Sequence, residues 1–399
     1  MSEILLDSLY NCLLRKVRRM KIQSFKFSNN KQNWHIQEVK FEELNLLIGG
    51  SGVGKTRILK ALNLICDVAK GRNNNLDDLE WSINFSHLGR NYRWELKSSS
   101  TKNKEMFLNL NESEQTEIVY EKLVRYDDDS ELEILLRTNL DSKFNNEKLP
   151  KLKRTESAIT LLSEEDLIIP VRKAFERLIF NFQLLQEFIL TISIDSSAET
   201  NLLNEINIDD FKEYFAGDPP VLKALRLQKF FPLIFNEIKK SYIDIFPDVK
   251  DVRVSNDSDL KNEFVLSFEI EEVGLQAWIP QEQISSGMFR TLIFLVEVIS
   301  APKESVILID EFENSLGINC IAEVTDFILD KSPNIQFILT SHHPYIINNI
   351  PWETWQIVSK SGNKVKVKKS TDIPELNTAS SLDKFTQLIN LFDSEEIFE

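Results

Sequence analysis

The sequence predicts an α/β protein with mixed parallel and antiparallel sheets and a helical insertion in its middle. Three observations lead there. Short apolar runs at 44–48, 304–309 and 335–340 do not alternate, which is how strands buried on both faces of a parallel sheet read. Segments at 20–27, 34–41, 82–86, 91–98, 105–110, 117–124 and 131–138 read instead as short strands between Asn, Ser and Asp clusters, the pattern of an antiparallel sheet. From 164 to 247 the chain turns Phe-rich at helical spacing, as in DLIIPVRKAFERLIFNFQLLQEFIL.

Taken in order, MSEILLDSLYNCLLRKVRRM reads as an amphipathic lead-in helix, with its charges after its apolar part, opposite to a secretory signal. The buried strand Leu44 to Ile48 ends in a glycine loop and leads into a helix over 55–69; with the alternating strands this forms a first unit, 1–163. The insertion, 164–247, is too short for a long coiled-coil arm, since about 40 helical residues span only about 60 Å. Strands at 249–255, 263–271 and 275–279 follow it, then helix 286–300, strand 304–309, helix 318–330 and strand 335–340. With strands 354–359 and 364–368 these form a second unit, 248–370, and an acidic tail, 371–399, carries a helix over 381–393.

Composition narrows the function classes. The chain has 399 residues, 42% hydrophobic and 27% charged, and its few Gly (11) and Pro (12) argue against long disordered linkers. A net charge of −15 excludes a non-specific nucleic-acid coat and leaves local basic patches as the only routes to phosphate backbone. Three such patches are readable: Arg15, Lys16, Arg18, Arg19 and Lys21; Lys148, Lys151, Lys153 and Arg154; and Lys360, Lys364, Lys366, Lys368 and Lys369. Each also reads as ordinary solvated surface, as do Asp127, Asp128 and Asp129. Cys12, Cys66 and Cys320 have neither disulfide nor zinc spacing, so a reducing cytoplasmic setting is expected. No apolar run approaches the roughly 20 residues of a membrane helix, so no membrane partner is expected.

The chemistry-bearing motifs begin with Gly49-Gly50-Ser51-Gly52-Val53-Gly54-Lys55-Thr56, which satisfies GxxxxGK[ST] between a strand and a helix. Glycines let backbone N–H groups turn toward phosphates, Lys55 reaches the β/γ oxygens and Thr56 ligates Mg2+, so ATP and Mg2+ are the expected ligands. Val306 to Ile309 delivers Asp310 and Glu311 to a strand's C-terminal edge; Asp310 suits Mg2+ and Glu311 suits polarising a water. Ser285 and Gly287, in Ile284-Ser285-Ser286-Gly287-Met288, open a helix and can donate to phosphate, although local chemistry alone favours a plain N-cap for helix 286–300. His342 follows a buried strand at the same edge and can contact a γ-phosphate, with His343 a bystander.

In that order, the glycine loop, ISSGM, ILIDE, ENSLG and TSHHP resemble the motif series of ABC-type ATPases, nearest to the RecF/SMC/OLD-like group of AAA-type ATP-binding proteins. The resemblance covers 20–70 and 250–350 well and the middle loosely. It implies a P-loop ABC-type ATPase head that hydrolyses Mg-ATP in a head-to-head dimer. Ser285 and Gly287 of one subunit would then bind the γ-phosphate held by the other, Ser315 and Leu316 would form the D-loop, and His342 would be the switch. Ser286, Met288 and Gly317 depart from the group's usual residues, which bears on turnover but removes no metal or base group. Gln183 and Gln186 are available for a Q-loop, and Trp34 or His35 for stacking on adenine.

Relatives in this group include ATPases of bacterial anti-phage defence systems, so the resemblance implies a sensor or regulatory subunit with a separate effector, foremost a nuclease. OLD-like relatives carry their nuclease after the ATPase, whereas the stretch after His342 is shorter than a domain, so cutting is expected from a partner. A RecF-like repair or loading factor that binds DNA directly is the alternative, and a slowly hydrolysing nucleotide-gated switch a third reading. A transporter motor is disfavoured, because transport ATPases have a far shorter gap between P-loop and signature than that from Lys55 to Ser285.

Overall fold

The computed structural model describes residues 20–73, 75–101, 115–127, 130–181, 190–192, 196–257, 264–314, 316–377 and 380–394. The lead-in helix over 1–20 with Arg15, Lys16, Arg18 and Arg19, Cys12, strand 105–110, Asp128, Asp129, Gln183, Gln186, Ser315, Glu395, Glu396 and Glu399 lie outside these residues, apart from Met20. Among the described residues no helix is long and apolar enough to cross a membrane.

The chain opens with β1 (Lys21–Asn29), β2 (Trp34–Lys40), β3 (Leu44–Ile48) and helix α1 (Lys55–Ala69). A meander follows: β4 (Leu79–His87), β5 (Arg90–Thr101), β6 (Gln115–Asp127), β7 (Ser130–Arg137), β8 (Ser142–Phe144) and β9 (Glu147–Lys148). Next come α2 (Ala158–Leu161), α3 (Ile169–Glu176), β10 (Leu178–Asn181) and β11 (Leu190–Ile192). Helices α4 (Ser196–Glu205), α5 (Ile208–Tyr214), α6 (Pro220–Phe230) and α7 (Pro232–Ile245) lead to β12 (Val249–Asp257), β13 (Phe264–Glu272) and β14 (Trp278–Pro280). The remainder is α8 (Ser286–Ser300), β15 (Val306–Ile309), α9 (Ile318–Lys331), β16 (Gln336–Thr340), α10 (Pro344–Asn349), β17 (Trp355–Ser361), β18 (Lys364–Lys369) and α11 (Ser381–Ser394).

One continuous sheet has the order β10-β15-β16-β3-β17-β18-β2-β1-β4-β5-β6-β7-β8-β9. From β10 to β17 the pairing is parallel; from β2 outward it is antiparallel, with β18 antiparallel to β17 and parallel to β2. Strand β3 therefore sits between β16 and β17, so both sequence ends contribute to the same parallel core. A second sheet has the order β11-β13-β12, with β14 on β13.

Side-chain alternation along the parallel strands divides the interior in two. Leu44, Leu46, Ile48, Ile307, Ile309, Phe337 and Leu339 point into one core, with α6 to α9 and the second sheet. Leu47, Val306, Leu308 and Ile338 point into the other, with α1, α3 and the antiparallel strands. This is why β3, β15 and β16 carry no polar alternation: every residue of β3 and β15 is buried.

The segment DLIIPVRKAFERLIFNFQLLQEFIL is not the continuous helix its spacing predicts. Helix α3 ends at Glu176, and Leu178–Asn181 becomes β10, parallel to β15, while Leu190–Ile192 joins the second sheet. A short apolar run such as Leu178-Ile179-Phe180 does not distinguish a buried strand from a buried helix by periodicity alone. Here the free edge of β15 decides the matter.

Two buried polar braces hold the parts together. The Gln336 side chain donates to the Ile22 and Glu42 carbonyls (2.9 and 2.6 Å) and accepts from Ile22 N–H (2.8 Å), tying β1 to β16. Lys223 of α6 pairs with Glu297 of α8 at 2.7 Å, both buried.

His87, at the end of β4, is fully buried, and its Nδ1 has no hydrogen-bond partner among the described residues. Burial, with the Arg177 and Lys173 charges nearby, pushes its pKa down to about 3 from an ordinary 6.5. The unfolded chain therefore binds a proton that the folded chain refuses. The stability from neutral His87 is present above about pH 6.5 and is lost as pH falls toward 3, by about 1.4 kcal/mol per pH unit. Denaturant unfolding of His87→Gln should show a shallower fall in stability between pH 6.5 and 4.5 than the parent chain; identical slopes would remove His87 from the account.

Candidate functional site

The site lies at the C-terminal edge of β3, β15 and β16, where the parallel strands end together. Gly49 follows β3 with no room for a side chain: a Cβ there would run into the Val358 carbonyl. Gly54, with φ of 114°, is the N-cap of α1 in the left-handed region, and a Cβ on it would lie 2.8 Å from the Val365 side chain. Gly50, Ser51 and Gly52 are exposed at the loop's crest, and Val53 is half-buried. Lys55, on the first turn of α1, folds its ammonium back over the loop and donates to the Gly49 and Gly50 carbonyls at 2.7 and 2.8 Å. Burial pushes its pKa down to about 8, against the opposing pull of Asp310, Glu313 and Glu311.

Asp310 leaves the end of β15 and faces the loop. Its Oδ1 accepts from Thr56 (3.1 Å) and from Thr340 at the end of β16 (2.7 Å). The Thr340 hydroxyl in turn accepts from Glu311 N–H at 2.7 Å. Glu311 has φ of 47°, an uncommon conformation for a residue with a side chain, and its carboxylate is exposed. The Asn314 amide donates to that carboxylate at 3.3 Å. Arg290, from the second turn of α8, donates to the carbonyls of Asp310, Glu311 and Asn314 at 3.1, 3.1 and 2.6 Å. Burial lowers the Arg290 pKa, and Glu313, Glu311 and Asp310 oppose that shift.

His342 lies two residues past β16 with an exposed side chain, and its N–H donates to Glu313 Oε1 at 2.6 Å. His343 is engaged differently, because its Nδ1 accepts from Tyr345 N–H at 3.3 Å and caps α10. Ser285 caps α8, accepting from Met288 N–H at 3.3 Å. With Gly287 it opens on a cleft of about 420 Å³ walled by Phe246, Asp248, Glu272 and Gly317, which includes no residue of the glycine loop. The structure therefore brings Lys55, Thr56, Asp310, Glu311 and the His342 main chain into one cluster, while Ser285 and Gly287 line a cleft that no glycine-loop residue lines.

The residues present fit a magnesium nucleotide. Gly49 and Gly54 let the loop pack closely on Val358 and Val365, Gly50 and Gly52 leave its crest open, and Mg2+ typically takes one or two protein oxygens plus phosphate and water, which the Thr56–Asp310 pair matches. Trp34 is placed beside α1, with the Arg57 guanidinium 5.3 Å from its ring centre. Of the basic patches, Lys21, Lys153, Arg154 and Lys369 are engaged in ion pairs with Glu43, Glu156, Glu117 and Glu42.

Thr340, Arg290 and Asn314 are absent from the sequence-based site. Arg290 left a signal, as the one basic residue in the largely apolar α8; the other two act through contacts that no spacing encodes.

The sequence model of the family described as "AAA domain, putative AbiEii toxin, Type IV TA system" matches residues 44–348, from β3 past His342. No curated protein matches the chain. Among solved structures, it is similar to an SMC head bound to the C-terminal winged-helix domain of ScpA, at 16% identity and a TM-score of 0.47, covering 87% of this chain and 96% of that one. It is also similar to an SMC head domain with an extended coiled coil bound to the C-terminal domain of ScpA, from Pyrococcus furiosus, at 13% identity and a TM-score of 0.47, covering 94% and 100%. With the family model spanning most of its length, the chain belongs to this family of AAA-domain ATPases.

Proposed function

We propose that the chain binds and hydrolyses Mg-ATP at a head-to-head dimer interface and, through that cycle, controls a separate effector, foremost a nuclease, in nucleic-acid-related anti-phage defence. The observation that carries the hydrolytic part is the hydrogen-bond chain from Thr56 through Asp310 to Thr340 and Glu311, which joins glycine loop and acidic strand end at one point. In this reading Lys55 exchanges the Gly49 and Gly50 carbonyls for phosphoryl oxygens. Thr56 and Asp310 hold Mg2+, which when bound neutralises charge on those oxygens. Glu311 takes the proton of the attacking water, and the exposed His342 side chain meets the γ-phosphate.

The dimer reading is supported by the cleft at Ser285 and Gly287, which no residue of the chain's own glycine loop lines, so that a phosphate held there would belong to a second copy's loop. The toxin–antitoxin wording of the family description supports an arrangement in which one protein governs another's output.

Lys55→Ala is expected to weaken ATP binding about 100-fold or more, the loss of about 3 kcal/mol from a buried charge contact. Equilibrium binding with fluorescent ATP reads this directly, and retained tight binding would refute the assignment of the loop. Glu311→Gln should keep ATP affinity within a few-fold, lose about 10²- to 10⁴-fold in turnover, and accumulate as a nucleotide-bound dimer in sedimentation. A monomer under those conditions would end the head-to-head reading. The same variant, tagged and recovered from native cells with ATP and Mg2+, tests the output: a stoichiometric nuclease or toxin supports effector control, whereas DNA alone would favour a repair factor.

A further inference from the structure

Glu313 stands three residues beyond Asp310, on the turn that follows β15, and its carboxylate is not solvated in the ordinary way. One oxygen accepts the His342 N–H at 2.6 Å across 29 residues of sequence. The other is buried and accepts no hydrogen bond from the described residues. Lys55 and Arg290 both lie within its electrostatic reach, so its negative charge is balanced from the glycine-loop side and from the α8 side. A carboxylate that makes a short contact with one main-chain N–H is a strong, directional tether, because the charge-assisted bond is roughly twice a neutral one.

From these contacts we infer that Glu313 is a positioning residue: it fixes the main chain of His342 to the turn carrying Glu311, so that the two side chains facing the phosphate site share one anchor. The inference rests on the proposed hydrolytic role of that site. Thr340 and Arg290 hold the Glu311 end of this turn through its backbone, and Glu313 extends the same turn to the neighbouring loop. Without Glu313 the segment 341–343 retains the Ser341 hydroxyl contact to His343 N–H, at 3.0 Å, but loses its only tether to the Asp310–Asn314 turn among the described contacts.

The test compares Glu313→Ala, Glu313→Asp and Glu313→Gln in the full chain by amide hydrogen exchange at 341–343 without nucleotide, and by ATP turnover. Gln keeps a carbonyl oxygen at the same reach, whereas Asp is one methylene short. Ala and Asp should raise exchange at His342 at least tenfold and lower kcat about 100-fold, the scale of a misplaced group of about 1 Å, with KM for ATP changed less than threefold. Gln should restore protection and most of kcat. If Ala does not fold, Asp carries the comparison. Parent-like exchange and kcat in Ala or Asp would overturn the assignment. If the parent chain itself hydrolyses no ATP, the hydrolytic reading fails, and exchange at His342 alone decides the tether.

Discussion

One carboxylate oxygen, Asp310 Oδ1, accepts from Thr56 and Thr340, and the placement of nearly every other group in the site follows from it. For both hydroxyls to reach it, β15, β16 and β3 must end at the same level. Their registers, Ile309 opposite Leu339 and Leu339 opposite Leu46, make that so. The same registers keep alternate residues on their own sides of the sheet. A slip of one residue would turn Ile307 and Ile309 into the core now filled by Val306 and Leu308, and would reverse Asp310 as well. Packing and chemistry are thus set by a single alignment of three strands.

The turn after β15 concentrates negative charge. Asp310, Glu311 and Glu313 face Lys55 and Arg290, two cations whose burial works against their own ionisation. The three carboxylates oppose that effect of burial on both cations. Glu311 also holds a left-handed backbone, which costs of order 1 kcal/mol or more and persists because both its N–H and its carbonyl are held, by Thr340 and Arg290. A backbone held at both its N–H and its carbonyl beneath an exposed carboxylate suits the role proposed for Glu311.

Much of this was legible in the residues. Non-alternating runs exposed β3, β15 and β16, because burial on both faces removes the polar half of the pattern. The glycine loop was legible because close backbone approach at Gly49 and positive φ at Gly54 leave few alternatives to glycine. The course of 164–247 was not, since Leu178–Asn181 acquires strand geometry from the edge of β15, a partner far away in sequence. Thr340 and Arg290 escaped for a related reason: each acts on atoms, a carboxylate oxygen or backbone carbonyls, that only the assembled edge brings near.

The pairing of Lys223 with Glu297 bears on how far this molecule can be reduced. Glu297 lies in α8, the helix whose N-terminal end carries Ser285 and Gly287, yet its counter-charge comes from α6, in the middle of the chain. Deleting the middle to obtain a minimal catalytic core would strand a carboxylate in an apolar interior, a loss of about 3–5 kcal/mol. A shortened protein would need a neutral, well-packed residue at 297 before it could keep α8 in place; the middle segment thus supplies the counter-charge on which that helix depends.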